Sequence, residues 1–237
     1  MAYALVALSA SACGDGTRPP DAEPSIGMLD PGKKHYEGRG YPEWAVAYMQ
    51  WQFQTAASIL WDVKDCTAGQ DATSPVVFLE QEIATNTEPR PCAFSSEKAI
   101  LFPLLSLASP VIHYTDSAMP LPSSDVNELK RRVNESIDDF FIEEASIRVD
   151  DRELRQPREG KIEPTEYEYS PYPGDNLLYR YYGVTPVPPV VAPAVVGGYW
   201  VLLAPLARGP HEISILLRGS LSGPIIRNQF TYHLMLE

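Results

Sequence analysis

Proline places the tightest limit on what this chain can fold into. It fills 23 of 237 positions, close to twice the usual share of about 5%. Its ring fixes φ and removes an N–H, so it is costly inside helices and central strands. Short elements joined by many turns are therefore expected. An apolar fraction of 44% excludes a wholly disordered chain. The length suits one domain with a tail, or one large β-sandwich. Nineteen basic against 31 acidic residues leave a net charge of −12. That balance argues against a nucleic-acid binder and against charge-driven docking on anionic lipid.

Residues 1–13, MAYALVALSASAC, carry an apolar run from Tyr3 to Leu8 and then Ala10-Ser11-Ala12 before Cys13. This predicts a secretory signal whose cleavage site resembles a lipobox, with Cys13 lipidated. No basic segment precedes the run, and Ala10 stands where leucine is usual. The plainer alternative is a cytoplasmic protein with an apolar N-terminal strand or helix turn. Three cysteines leave an odd thiol in an exported chain. Pairing Cys66 with Cys92 and giving Cys13 to a lipid uses all three. Such a loop stabilises the fold by about 3–4 kcal/mol in the chain-entropy model. The competing reading is a pair of reduced, buried cysteines. No C-x-x-C pair exists, so neither a zinc ribbon nor a thioredoxin-type site is indicated. Residues 14–40 are rich in Gly, Pro and charge and read as a flexible tether, with one domain over 41–237.

Pro42 and Glu43 mark a helix start. The eighteen residues from Trp44 to Trp61 hold no charge, but Gln50, Gln52, Gln54, Thr55 and Ser58 argue against a membrane span. A largely buried helix is expected, with Trp44, Tyr48 and Trp51 as its core stripe. Val76–Leu79 and Ile100–Phe102 read as strands, the second demoted by Pro103 to an edge or a bulge. Ser124 reads as the N-cap of an amphipathic helix over about 125–138, with Val126, Leu129, Val133 and Ile137 inward. Further strands are expected at 146–149, 165–169, 179–181, 199–203, 211–217 and 226–236, with a turn at Asp150-Asp151. The fold class is mainly β, a β-sandwich or jelly roll with two packed helices.

Several short segments together resemble a family of uncharacterised bacterial secreted proteins and lipoproteins. They are Glu43-Trp44 through Trp51, Cys66 to Gln70, Val76 to Leu79, Pro91-Cys92 and Lys98 to Pro103. Gly198-Tyr199-Trp200, Ala204-Pro205-Leu206 and Gly209-Pro210-His211 continue the resemblance, which spans roughly 40–237. It departs at Tyr48-Met49, where the family tends to have tryptophans. The resemblance implies export, one disulfide and a β-rich domain, and supplies no catalytic residues.

Motifs of chemistry are sparse. Gly219-Ser220-Leu221-Ser222-Gly223 has leucine where a nucleophile elbow needs serine. His211-Glu212 lacks the second histidine of a zincin helix. His35, His113, His211 and His233 are too scattered to indicate a metal, and no cofactor is implied. Acidic pairs at Asp138-Asp139, Glu143-Glu144 and Asp150-Asp151, with Asp62 and Asp65, could serve a glycosidase or bind a hard cation. His113, near Tyr114 and Asp116, and His211 are the acid/base candidates. The tyrosines are a stronger signal. Tyr167, Tyr169, Tyr172, Tyr179, Tyr181, Tyr182, Tyr199 and Trp200 crowd one β-rich region. Of these, Tyr167, Tyr169, Tyr179, Tyr181 and Trp200 are the expected ligand-binding rings. High β propensity of tyrosine in a half-buried sheet is the structural alternative.

The expectation is an exported, lipid-anchored protein, periplasmic or at the outer membrane or cell surface, without indicated catalysis. It would bind a glycan or a protein ligand, contact the membrane through its anchor and bind no nucleic acid. A secreted hydrolase using a carboxylate pair or a histidine is the alternative. A structural protein that self-assembles through a sheet edge ending at Glu237 is the third reading.

Overall fold

The computed structural model describes residues 27–31, 36–61, 65–80, 90–110, 125–154, 157–182, 192–220 and 225–237. Two mixed sheets face each other. The first holds β1 (Val76–Phe78), β3 (Ala99–Pro110), β7 (Ala192–Leu203) and β6 (Lys161–Tyr169), side by side in that order. The second runs β2 (Arg90–Phe94), β9 (Ile225–Leu236), β8 (Gly209–Ser220), β4 (Phe141–Val149) and β5 (Arg152–Glu153). Pairing is antiparallel except for β1 with β3 and β2 with β9. The β-rich reading with two packed helices holds.

Alternation explains the layers. Ile100, Phe102, Leu104, Val201 and Leu203 point from the first sheet into a core shared with Ile147, Ile213, Ile215, Leu217, Tyr232 and Leu234 of the second. The intervening Leu101, Trp200 and Leu202 point the other way, into a core made with α1 (Tyr41–Gln54). The first sheet is thus buried on both faces, which is why its strands read as continuous apolar runs. On the second sheet Glu212 and Arg218 face solvent between buried Ile213, Ile215 and Leu217.

Trp44, Tyr48 and Trp51 form the expected core stripe, with the Tyr48 ring 5.2 Å from Trp200 and 5.6 Å from Phe78. The uncharged stretch is two helices, not one. α1 ends at Gln54, Thr55 is extended, and α2 (Ala57–Trp61) follows. The 172–176 segment occupies the break. Tyr172 N–H donates to Phe53 O at 2.9 Å, while Asp175 accepts from Ala57 N at 2.9 Å and from Ser58 N at 2.9 Å. An inserted loop that satisfies both helix ends removes any need for a continuous helix.

Val126–Asp139 forms α3, whose Leu129, Val133 and Ile137 cover Val195 of β7. Its N-cap is Asp125, accepting from Asn127 N–H at 2.9 Å, and the expected Ser124 lies outside the described residues. Gly197 lets α3 settle, since a Cβ there would lie 2.7 Å from Ile137 Cδ1. Pro103 produces a bulge, the register with β7 slipping between Pro103 and Leu105, just past the Ala99–Leu101 stretch that β1 pairs.

Three sequence expectations need correction. Leu177–Tyr182 is a helix, α4, where a strand was expected over 179–181. Buried Asn176 caps it, its Oδ1 accepting from Tyr179 N–H at 2.9 Å. The tether cannot run to residue 40. Leu29 N–H donates to Leu202 O at 2.8 Å, Ala204 N–H to Gly27 O at 3.1 Å, and Tyr41 Oη–H to Leu29 O at 2.6 Å. Folded structure therefore includes Gly27, and Cys13 with the rest of 1–26 lies outside the described residues. Finally, β9 is an edge only in part, since β2 and β8 flank it over Tyr232–Leu236 and, among the described residues, β8 alone pairs with it over 225–231.

Cys66 and Cys92 are joined as a disulfide, their Cα atoms 5.3 Å apart. A buried disulfide of this kind belongs to an oxidising, exported location. No helix among the described residues is long and apolar enough to cross a membrane.

Candidate functional site

The ends of several elements of the second sheet meet around one groove of about 850 Å³. The N-terminal end of β8 brings Pro210, His211 and Glu212, and the facing end of β9 brings His233, Leu234 and Met235. β2 adds Cys92 and Ala93, the β4–β5 turn adds Asp150 and Asp151, and Asp65 arrives beside the disulfide. The strand pleat decides which side chains share a face. Glu212 pairs with His233, and Pro210 with Met235, so all four point outward from one patch.

Asp150 and Asp151 have φ of 50° and 63°. Left-handed values at both positions are what a two-residue hairpin between Val149 and Arg152 requires. Asp tolerates that region better than most residues. The turn projects Asp150 onto β8. One carboxylate oxygen accepts from Glu212 N–H at 2.9 Å, and the other lies 2.6 Å from His211 Nδ1.

The opposite ring nitrogen of His211, Nε2, lies 2.8 Å from Ala207 O. Both partners are acceptors, so the protonated imidazole satisfies both contacts at once. Burial disfavours that charge, but the bonds to Asp150 and Ala207 more than offset it, leaving the pKa raised. While protonated, this ring has no lone pair with which to take a proton from a substrate. It clamps the β4–β5 turn to the 204–208 connection.

The outer face repeats the lesson. Glu212 lies 3.2 Å from Ser214 Oγ and 3.2 Å from His233 Nε2. The carboxylate stands between hydroxyl and imidazole, an order in which the imidazole cannot activate the serine. Asp65 accepts from Thr67 N–H at 2.9 Å and Thr67 Oγ1–H at 2.8 Å, an Asx turn beside the disulfide. No cluster of three metal-ligating side chains exists among the described residues.

The remaining candidates are dispersed. Tyr167, Tyr169 and Trp200 are 4%, 2% and 0% exposed, so their rings offer no face to a ligand. Tyr169 stacks on Phe53 at 4.7 Å, and burial pushes the Tyr167 hydroxyl well above its usual pKa. The expected aromatic platform is instead the core beneath α1. Tyr179 is exposed, on α4 and not on a strand, and Tyr181 shares that short helix. Asp138 pairs with Lys161, and Glu143 with Arg218. Asp62 and His113 lie outside the described residues.

Asp65, Asp150, Asp151 and His211 were legible as candidates, and the fold does bring them together. Glu212, His233 and Met235 acquire meaning only through the β8–β9 register. No family model, no curated protein and no solved structure matches the chain.

Proposed function

We propose that the chain is an exported cell-envelope binding module that holds a polypeptide ligand in the groove where β2, β9 and β8 meet. One observation carries this reading. Carboxylates of Asp65, Asp150, Asp151 and Glu212 ring a floor made by Ala93, Pro210 and Met235. Met235 is 51% exposed, although it sits at the centre of that floor. A solvated apolar patch rimmed by polar groups marks an interaction surface. Its rim favours a partner with apolar side chains flanked by Lys or Arg. The glycan reading is weakened, because Tyr167, Tyr169 and Trp200, three of the five rings expected to stack on sugars, are core residues.

Lipid anchoring through Cys13 belongs to the same proposal and is supported by the small-residue run before that cysteine. Cys13→Ser should release the protein from the membrane fraction, and unchanged fractionation would remove the anchor. The groove itself is tested by selecting a displayed random-peptide library on the immobilised protein. Enrichment of peptides alternating apolar with basic residues, abolished by Asp151→Lys, supports the reading. No enrichment, or enrichment that Asp151→Lys leaves unchanged, contradicts it.

A further inference from the structure

The first half of β9 has a neighbour on one side only. β2 pairs with it over Tyr232–Leu236 and β8 over Ile225–Leu236. Among the described residues, nothing pairs with 225–231 on the side away from β8. One hydrogen bond fixes which main-chain groups face that open side. Glu237 N–H donates to Phe94 O at 3.1 Å, across the border with β2. Main-chain groups alternate between the two edges of a strand, and the register of β9 with β8 runs from end to end without a shift. The odd-numbered residues of β9 therefore turn their N–H and C=O toward the β2 side, and the even-numbered ones toward β8. At Ile225, Arg227 and Gln229 those groups point out of the sheet.

Residues 225–231 hold neither a proline nor a bulge, two of the devices that blunt an open edge. The pleat also places the Ile225, Arg227 and Gln229 side chains together on the outer face, all of them exposed. Ile225 is 61% exposed, and Phe141, 65% exposed, stands in the same row across Ser220. Arg218, which pairs with Arg227 across the strands, is held by Glu143 at 2.8 Å. The Arg227 guanidinium donates to Gln229 Oε1 at 3.3 Å and forms no ion pair among the described residues. A strand laid on this edge would thus meet an apolar residue and, two positions on, a cation without a counter-charge. A second copy of the chain fits badly. Two-fold pairing centred on Arg227 sets that side chain against its own counterpart, and like charges directly opposite are unfavourable.

We propose that the 225–231 edge of β9 takes up an extended segment of a partner protein as an added strand. That segment carries an apolar and an acidic residue two positions apart, to face Ile225 and Arg227. The site lies at the opposite end of β9 from Met235 and is separate from the peptide groove. The test uses the ¹⁵N-labelled full chain and a short blocked peptide of threonines with one valine and one glutamate two positions apart. In the free protein the Arg227 and Gln229 amides should exchange rapidly, while the Asn228 amide, turned toward β8, is protected. The peptide should slow Arg227 and Gln229 saturably. Lysine in place of its glutamate should weaken binding about tenfold, and Arg227→Glu, a change of an exposed side chain, should reverse that preference. N-methylation should abolish binding at one alternating set of peptide nitrogens and spare it at the other. Slow exchange at Arg227 and Gln229 in the free chain, or no slowing at millimolar peptide, overturns the proposal. So does binding that survives N-methylation of both sets alike.

Discussion

At the residue scale, the clearest consequence concerns His211. Its folded pKa is raised, so its contribution to stability is fully present below the ordinary histidine pKa of about 6.5 and is lost as pH rises through the higher folded value. Denaturant midpoints should fall as the pH is taken from mildly acidic to mildly alkaline, and the fall should vanish in His211→Gln. The wild-type change should be about 1 kcal/mol, the net scale of one hydrogen bond. A flat wild-type profile would show that the Asp150 and Ala207 contacts do not favour the protonated ring. Gly198 makes a second residue-scale case. It has φ of 130°, and a Cβ there would lie 2.0 Å from Leu105 O. Gly198→Ala should cost at least about 2 kcal/mol, read from urea midpoints, since neither conformation nor space permits it. The Asp150-Asp151 turn was readable from two adjacent turn-formers. The His211 contact was not, because sixty-one residues separate it from Asp150 and only sheet register joins them.

At the element scale, periodicity succeeded where one face is apolar and misled where neither is. α3 declares itself through Leu129, Val133 and Ile137 against a charged outer face. The Tyr179–Tyr181 alternation is too short to separate strand from helix, and Asn176 as N-cap decides it. Trp44 to Trp61 carries no Gly or Pro to announce its break. That break depends on Asp175, which is distant in sequence and accepts from the start of α2. Asp175→Ala should lower the urea midpoint of unfolding, because Ser58 N–H loses its carboxylate acceptor. Amide exchange should accelerate at Ser58 and leave α1 protected. Equal acceleration throughout α1 would mean that the two helices open as one.

At the scale of the whole molecule, the outermost strands of both sheets are protected against edge-to-edge pairing. Gln70 donates to Phe78 O at 2.7 Å and accepts from Phe78 N–H at 2.8 Å, so its amide stands in for a neighbouring strand beside β1. β6 carries Pro164 at a register shift, β2 carries Pro91, and β5 is two residues long. Proline, bulges and brevity are the usual protections of an exposed edge. The folded chain should sediment as a monomer across the micromolar range. Concentration-dependent association would restore the structural-protein reading.

The acidic, apolar-floored groove at the β2–β9–β8 junction is the central claim, and one affinity comparison tests it most directly. A peptide enriched on the wild-type protein is titrated against Met235→Asp and Tyr179→Ala, both changes of exposed side chains. Met235→Asp should weaken binding at least about tenfold, as expected for a charge placed in an interface centre. Tyr179→Ala, on α4, should leave the affinity unchanged. Loss of affinity in Tyr179→Ala with Met235→Asp binding normally would contradict the account and place the ligand elsewhere.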